Sequence, residues 1–201
     1  MSNPAFTRIS TIRRILIPQI VMMLLSILWI YFFSKDLFSR VFNFSLQIIC
    51  EGLLVGCGLA LAGYGFYVFA KKTKKFYEAV ELFEQVLSPV FKNLQLIDLF
   101  LLSLVAGLSE EIFFRGLLFS KVAIALSNVS VGIILSSLIF GAMHFPGKKY
   151  WIYAVWATAS GALFAYLFYL TNSLWLPVTA HATNNLIGMI LLNRMANKKP
   201  I

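Results

Sequence analysis

Glu110-Glu111-Ile112-Phe113-Phe114-Arg115 places two adjacent carboxylates and a guanidinium in one of the most apolar stretches of the chain. Even the mildest insertion scales assign about 2.5–3.5 kcal/mol to one ionised side chain at mid-bilayer, so such a cluster demands pairing or function. Helix geometry separates the two carboxylates. At about 100° per residue Glu111 and Arg115 (i, i+4) share a face and can pair, while Glu110 points about a quarter-turn away. Glu111 with Arg115 is therefore expected to be structural and Glu110 to carry chemistry. The plainer alternative is a buried ion cluster that only fixes helix packing.

The chain has two histidines, and each lies in an apolar segment. His144 closes Phe140-Gly141-Ala142-Met143-His144, and His181 opens His181-Ala182-Thr183-Asn184-Asn185. His181 and Asn185 are i, i+4 and can face one point, whereas Asn184 is expected to point elsewhere. If the chain reverses at Ser127-Asn128, Glu110 and His144 each lie about 25 Å from the turn at 1.5 Å per residue, level on neighbouring antiparallel helices. No serine–histidine–acid pattern competes, since His181 has no acid in its segment and Ser103 and Ser109 have no nearby histidine.

The elements that must hold these residues are membrane helices. With 60% hydrophobic and 12% charged residues and a mean hydropathy of +0.83, the chain lies far from the globular norm of about 25% charged. The +9 net charge could suggest nucleic acid, but the basic residues cluster beside apolar runs, as orienting loops do. Cys50 and Cys57 share one apolar run, which argues for packing and against a disulfide or zinc-finger framework.

In chain order, Ile15 to Phe33 follows Arg8, Arg13 and Arg14 and is too long for a cleavable signal peptide. A second run from about Val41 to Ala70 follows Lys35, Asp36 and Arg40 and stops at Lys71-Lys72-Thr73-Lys74-Lys75; Gly52 and Gly56 within it suit close helix contact. Glu51, a lone acid there, is expected to serve packing or an interface. Phe76, Val80, Phe83, Leu87, Val90 and Leu94 form a helical stripe among charges, broken or kinked near Pro89, which reads as an interfacial amphipathic helix or the cytoplasmic end of the next one. Four apolar segments follow, at about 96–126, 129–145, 150–170 and 174–193. The total is six membrane segments in an all-α polytopic bundle, with residues 1–94 an accessory hairpin plus interfacial segment and 95–201 a four-helix core with a short basic tail. With the N-terminus inside, 13 of the 17 lysines and arginines fall on the cytoplasmic side, Lys35, Arg40, Arg115 and Lys121 being the others. Both termini are therefore expected in the cytoplasm of a cell-membrane protein.

Taken together, Glu110-Glu111-x-x-x-Arg115, Phe140-x-x-x-His144 and His181-x-x-x-Asn185 resemble the three-motif pattern of the CPBP family, the CAAX proteases and bacteriocin-processing (Abi) enzymes, over roughly residues 95–193. The resemblance implies an intramembrane endopeptidase of the glutamate type. Glu110 would act as general base on water with His144, His181 and Asn185 would stabilise the oxyanion, and Glu111, Arg115 and Phe140 would support the site. Desolvation strengthens a carboxylate as a base, and neutral His and Asn donors suit developing negative charge, so the residue types agree. The expected partners are a membrane-associated protein or peptide substrate and the lipid bilayer, with no nucleic acid. A prenylated protein, a peptide precursor or a membrane-anchored sorting signal are all compatible substrates.

Members of the family have been described as metalloproteases, and Glu110, His144 and His181 would suffice as zinc ligands. The His-Glu-x-x-His helix is missing, so the expectation is a reaction without a cofactor, with zinc as the alternative. Two other classes compete: a transporter or channel, and a non-catalytic immunity or scaffold protein. The first would string polar groups across the bilayer rather than gather them at one level. One conflict remains in depth. A helix beginning at Leu174 puts His181 only about 10–13 Å below its turn. Extended backbone over Ser173-Leu174-Trp175-Leu176 and a helix starting at 176–178, near Pro177, would bring it down to His144.

Overall fold

The computed structural model describes residues 7–34 and 43–198, and every regular element among them is helical. Lys35, Asp36, Arg40, Val41 and Lys199 lie outside the described residues. Seven helical stretches follow one another: α1 Arg8–Phe33, α2 Leu46–Thr73, α3 in segments Tyr77–Glu81, Leu82–Leu87 and Ser88–Phe91, α4 in segments Leu96–Glu111, Ile112–Phe119 and Ser120–Ala125, α5 Val129–Met143, α6 Trp151–Thr171 and α7 Trp175–Asn197. Side-chain oxygens of Thr7, Ser45 and Asn128 cap α1, α2 and α5 by accepting from Ser10, Ile48 and Val131 backbone N–H groups. α1, α2 and the Lys148–Thr171 stretch are long and apolar enough to cross a membrane, and α5 is a shorter apolar helix. Their outer faces expose Leu24, Leu28, Phe32, Leu54, Leu61, Ile134 and Leu138, as a lipid solvent permits.

Helix α7 is the hub, packing on α2, α4 and α6. A Cβ on Gly52 would stand 1.8 Å from Thr179 Oγ1, and one on Gly56 would stand 2.5 Å from the Ala180 carbonyl oxygen, so these two glycines let α2 and α7 touch. Cys50 and Cys57, expected to pack, instead lie exposed, because this glycine face is the one α2 turns inward. Glu51 accepts a hydrogen bond from Gln47 on its own helix, at 2.8 Å.

Two stretches wind with π-helical geometry, Leu82–Leu87 and Ile112–Phe119. The first has a local cause. Ser88 N–H bonds the Phe83 carbonyl, its hydroxyl takes the Glu84 carbonyl at 3.2 Å, and Pro89 has no N–H to offer. The second begins immediately after Glu111, a placement frequent at functional sites.

One end of the bundle gathers the basic loops on α3: Lys71 pairs with Glu84 at 2.6 Å and Lys149 with Glu81 at 2.5 Å. Arg8 clamps Asp98 with two bonds of 2.8 and 2.9 Å, fixing the start of α1 to the start of α4. At the other end Ser173 Oγ donates to the Asn43 carbonyl at 2.6 Å, and the Phe44 and Trp175 rings meet edge to face.

The depth conflict resolves differently from the sequence expectation. α7 starts at Trp175, and Leu174 is already in right-handed helical conformation, so no extended descent exists. Instead the whole turn is recessed. Leu174 Cδ1 comes within 3.3 Å of where a Gly116 Cβ would stand, and Gly116 lies nine residues before Ala125, the end of α4, hence about 13 Å below that end. Leu174 packs there with Ile30, Ile112 and Phe168, and apolar burial offsets the cost of a turn inside the bundle. His181 consequently lies level with Phe164, their rings stacked at 5.2 Å.

Candidate active site

Glu110, His144 and His181 come from α4, the C-terminal cap of α5 and the second turn of α7. Glu110 Oε2 lies 3.7 Å from His144 Nε2 and 3.8 Å from His181 Nε2. It is buried and makes no hydrogen bond among the described residues. Glu110 and His144 meet at one level, as nearly equal spacing from the Ser127-Asn128 turn requires.

The tautomers follow from the partners. His144 Nδ1 lies 2.8 Å from the Phe140 carbonyl oxygen, which can only accept, so Nδ1 carries a hydrogen and Nε2 faces Glu110. His181 Nδ1 lies 2.7 Å from Glu111 Oε1, and the same oxygen accepts from Arg115 Nη1 at 2.9 Å. An ionised Glu111 thus fixes Nδ1–H on His181 as well. A neutral His181 so held presents a lone pair to the cavity, and it donates through Nε2 only as an imidazolium. That differs from the expected neutral donor, because sequence spacing paired Glu111 with Arg115 and left the histidine out.

The Glu111–Arg115 pair is sealed, with side-chain exposures of 0% and 1%. Arg115 also donates to the Gly161 carbonyl at 2.9 Å and sits against the rings of Phe114, Phe140 and Phe164, where cation–π attraction adds to the ion pair. Phe140 lies between the parts of the site, 4.4 Å from the His144 ring and 5.9 Å from that of His181, centroid to centroid.

A cavity of about 350 Å³ opens beside Glu110. Gln19, Tyr64, Tyr153, Trp156, Asn184 and Asn185 are among its lining, and it runs along α7 to Met195. Asn184 and Asn185 both line it. Among the described residues, no charged or titratable nitrogen or carboxylate group lines it apart from Glu110 and the two histidines.

Sequence reasoning missed Gln19. From α1 its Nε2 donates to Glu110 Oε1 at 2.7 Å, and its Oε1 accepts from Ser109 Oγ. The available signal was an amide in the middle of an apolar membrane helix, where polar side chains usually find a partner.

The donor set of Glu110, His144 and His181 is chemically suited to zinc, but no group of three or more His, Cys, Asp or Glu among the described residues is arranged to hold a metal ion.

Residues 92–187 match the family model described as "Type II CAAX prenyl endopeptidase Rce1-like". Over 89 residues the chain is 35% identical to a Bacillus subtilis (strain 168) protein named "Putative membrane peptidase YdiL", covering 44% of this chain and 34% of that protein. Over 92 residues it is 29% identical to "Uncharacterized protein YpbD" of the same organism, covering 46% of this chain and 44% of that protein. The matched stretch thus spans under half the length of these curated relatives. No solved structure matches.

Proposed function

From the match of residues 92–187 to the Rce1-like family model, we propose that the chain is a CPBP-type intramembrane endopeptidase cleaving a membrane-associated protein or peptide. The observation that carries this reading is Glu110 Oε2, buried, facing two imidazoles and opening on a cavity large enough for a peptide segment.

Glu110 takes a proton from a water molecule whose other hydrogen is directed at His144 Nε2, and the water oxygen attacks the scissile carbonyl carbon. The oxyanion forms beside His181, whose imidazolium is held by Glu111, and beside the Asn185 amide. Glu110 then returns its proton to the amide nitrogen, the C–N bond breaks, and a carboxylic acid and an amine leave, the acid passing its proton to the amine or to solvent. The reaction uses no metal. The aromatic and aliphatic lining favours an uncharged, apolar stretch around the scissile bond.

Purified protein incubated with membrane-associated peptides, with cleavage read by mass spectrometry, tests this. Cleavage should persist in chelator and fall at least about 100-fold in Glu110→Gln. Undiminished cleavage by Glu110→Gln contradicts the assignment, and loss to chelator with rescue by zinc contradicts the metal-free reaction.

Residues 95–201 supply the catalytic groups, in a chain that crosses the cell membrane six times with both termini cytoplasmic. The basic-residue bias supports this, as does the meeting of Lys71 and Lys149 on α3. Cysteines at Lys74 and Lys148 should label from the cytoplasm and one at Asn172 from the opposite side; cytoplasmic labelling of the last would refute the crossing count.

A further inference from the structure

We propose that Gln19 of α1 is a positioning residue for Glu110, fixing the carboxylate so that Oε2 faces His144 and His181. This rests on the protease reading for its kinetic consequence but not for its geometry. Gln19 lies outside the family-matched stretch, in a helix without a motif.

The amide is held in one orientation. An ionised carboxylate only accepts hydrogen bonds, so the Gln19 NH₂ must face Glu110 Oε1, at 2.7 Å, which turns the amide oxygen to the Ser109 hydroxyl. Ser109 is fully buried and one residue before Glu110, so α4 itself orients the side chain that orients its carboxylate. With Oε1 occupied, the remaining oxygen is directed at the imidazoles.

Helix α1 is built to deliver this contact. It packs along α4, with the Arg8–Asp98 clamp at one end and Ile30, 1% exposed, in the core cluster at the other. Gln19 stands between these anchors, next to Pro18, whose missing N–H loosens the helix and lets it bend locally. A carboxylate without the Gln19 bond keeps its charge but gains rotational freedom, and misplacement of a reacting group by about 1 Å costs up to about 100-fold.

The test uses Gln19→Leu, Ser109→Ala and their combination in the full chain. Infrared difference spectra against Glu110→Gln isolate the Glu110 carboxylate stretch, which should shift in Gln19→Leu. On the peptide cleaved by the protein, kcat should fall about 10-fold to 100-fold with KM little changed. Ser109→Ala should cost less, and the double variant should be no slower than Gln19→Leu, because Ser109 acts through Gln19. An unshifted carboxylate band, or a loss confined to KM or to thermal stability, overturns the proposal. Full cleavage by Glu110→Gln would instead overturn the protease reading, and the band shift would still report the hydrogen bond.

Discussion

Glu110 and Glu111 are neighbours in sequence and occupy opposite kinds of environment. Glu111 is sealed at 0% side-chain exposure and shares one oxygen between Arg115 and His181. Glu110 keeps 10% side-chain exposure, beside a His144 that is 27% exposed. The sealed acid holds a fixed charge arrangement, and the open one faces the space where a substrate can come. A rotation of about 100° along one helix is enough to give two adjacent carboxylates one sealed and one open environment.

The most severe way to break this comparison is Glu110→Gln, which removes the base at nearly constant volume. Cleavage should fall by about 10²- to 10⁴-fold, the usual contribution of a general base, with unchanged thermal denaturation in detergent. Asn185→Ala should lose about 10²- to 10³-fold as the proposed oxyanion donor is removed. Equal folding defects in Glu110→Gln and Glu111→Gln would abolish the distinction between the two acids.

Glu111→Gln sharpens it from the other side. Breaking a buried pair by removing one partner costs about 3–5 kcal/mol, so this variant should unfold earlier on heating. It should also lose activity, because His181 loses the carboxylate that orients its ring through Nδ1. A normal melting temperature would show that Arg115 and its three surrounding rings do not need the charge.

The smallest effect concerns α3, which closes the end of the cavity with Phe83 and Leu87. The Lys149 ammonium holds the Glu81 carboxyl below its ordinary value, and the Lys71 ammonium does the same for Glu84. A depressed carboxylate contributes stability above its unfolded-state pKa and loses it as pH falls through the folded-state value. Labelling of a cysteine at Phe83 should therefore rise as pH drops below the usual glutamate range, and Glu81→Gln with Glu84→Gln should flatten that rise. Both pairs are partly exposed, so salt should weaken them as well. Labelling independent of pH would show that apolar packing alone seats α3.

What could be read from the sequence was local. The i, i+4 spacing gave the Glu111–Arg115 pair, and nearly equal residue counts on either side of Ser127-Asn128 put Glu110 and His144 at one depth. Gln19 was hidden because its partner lies 91 residues away and no spacing rule links α1 to α4. The recessed turn was hidden too: it depends on Leu174 finding room at Gly116, a tertiary fit that the cue at Pro177 could not reveal. The tautomer of His181 followed only once Glu111 was seen to bond it and Arg115 together.

The most direct test of water activation by Glu110 is a single-turnover cleavage in ¹⁸O-water with the protein in excess over peptide. Direct attack by water predicts one ¹⁸O in the new C-terminal carboxylate of the peptide and none in the Glu110 side chain. Label appearing in Glu110 after that first turnover would mean that the carboxylate itself had attacked the peptide bond, and would contradict the account.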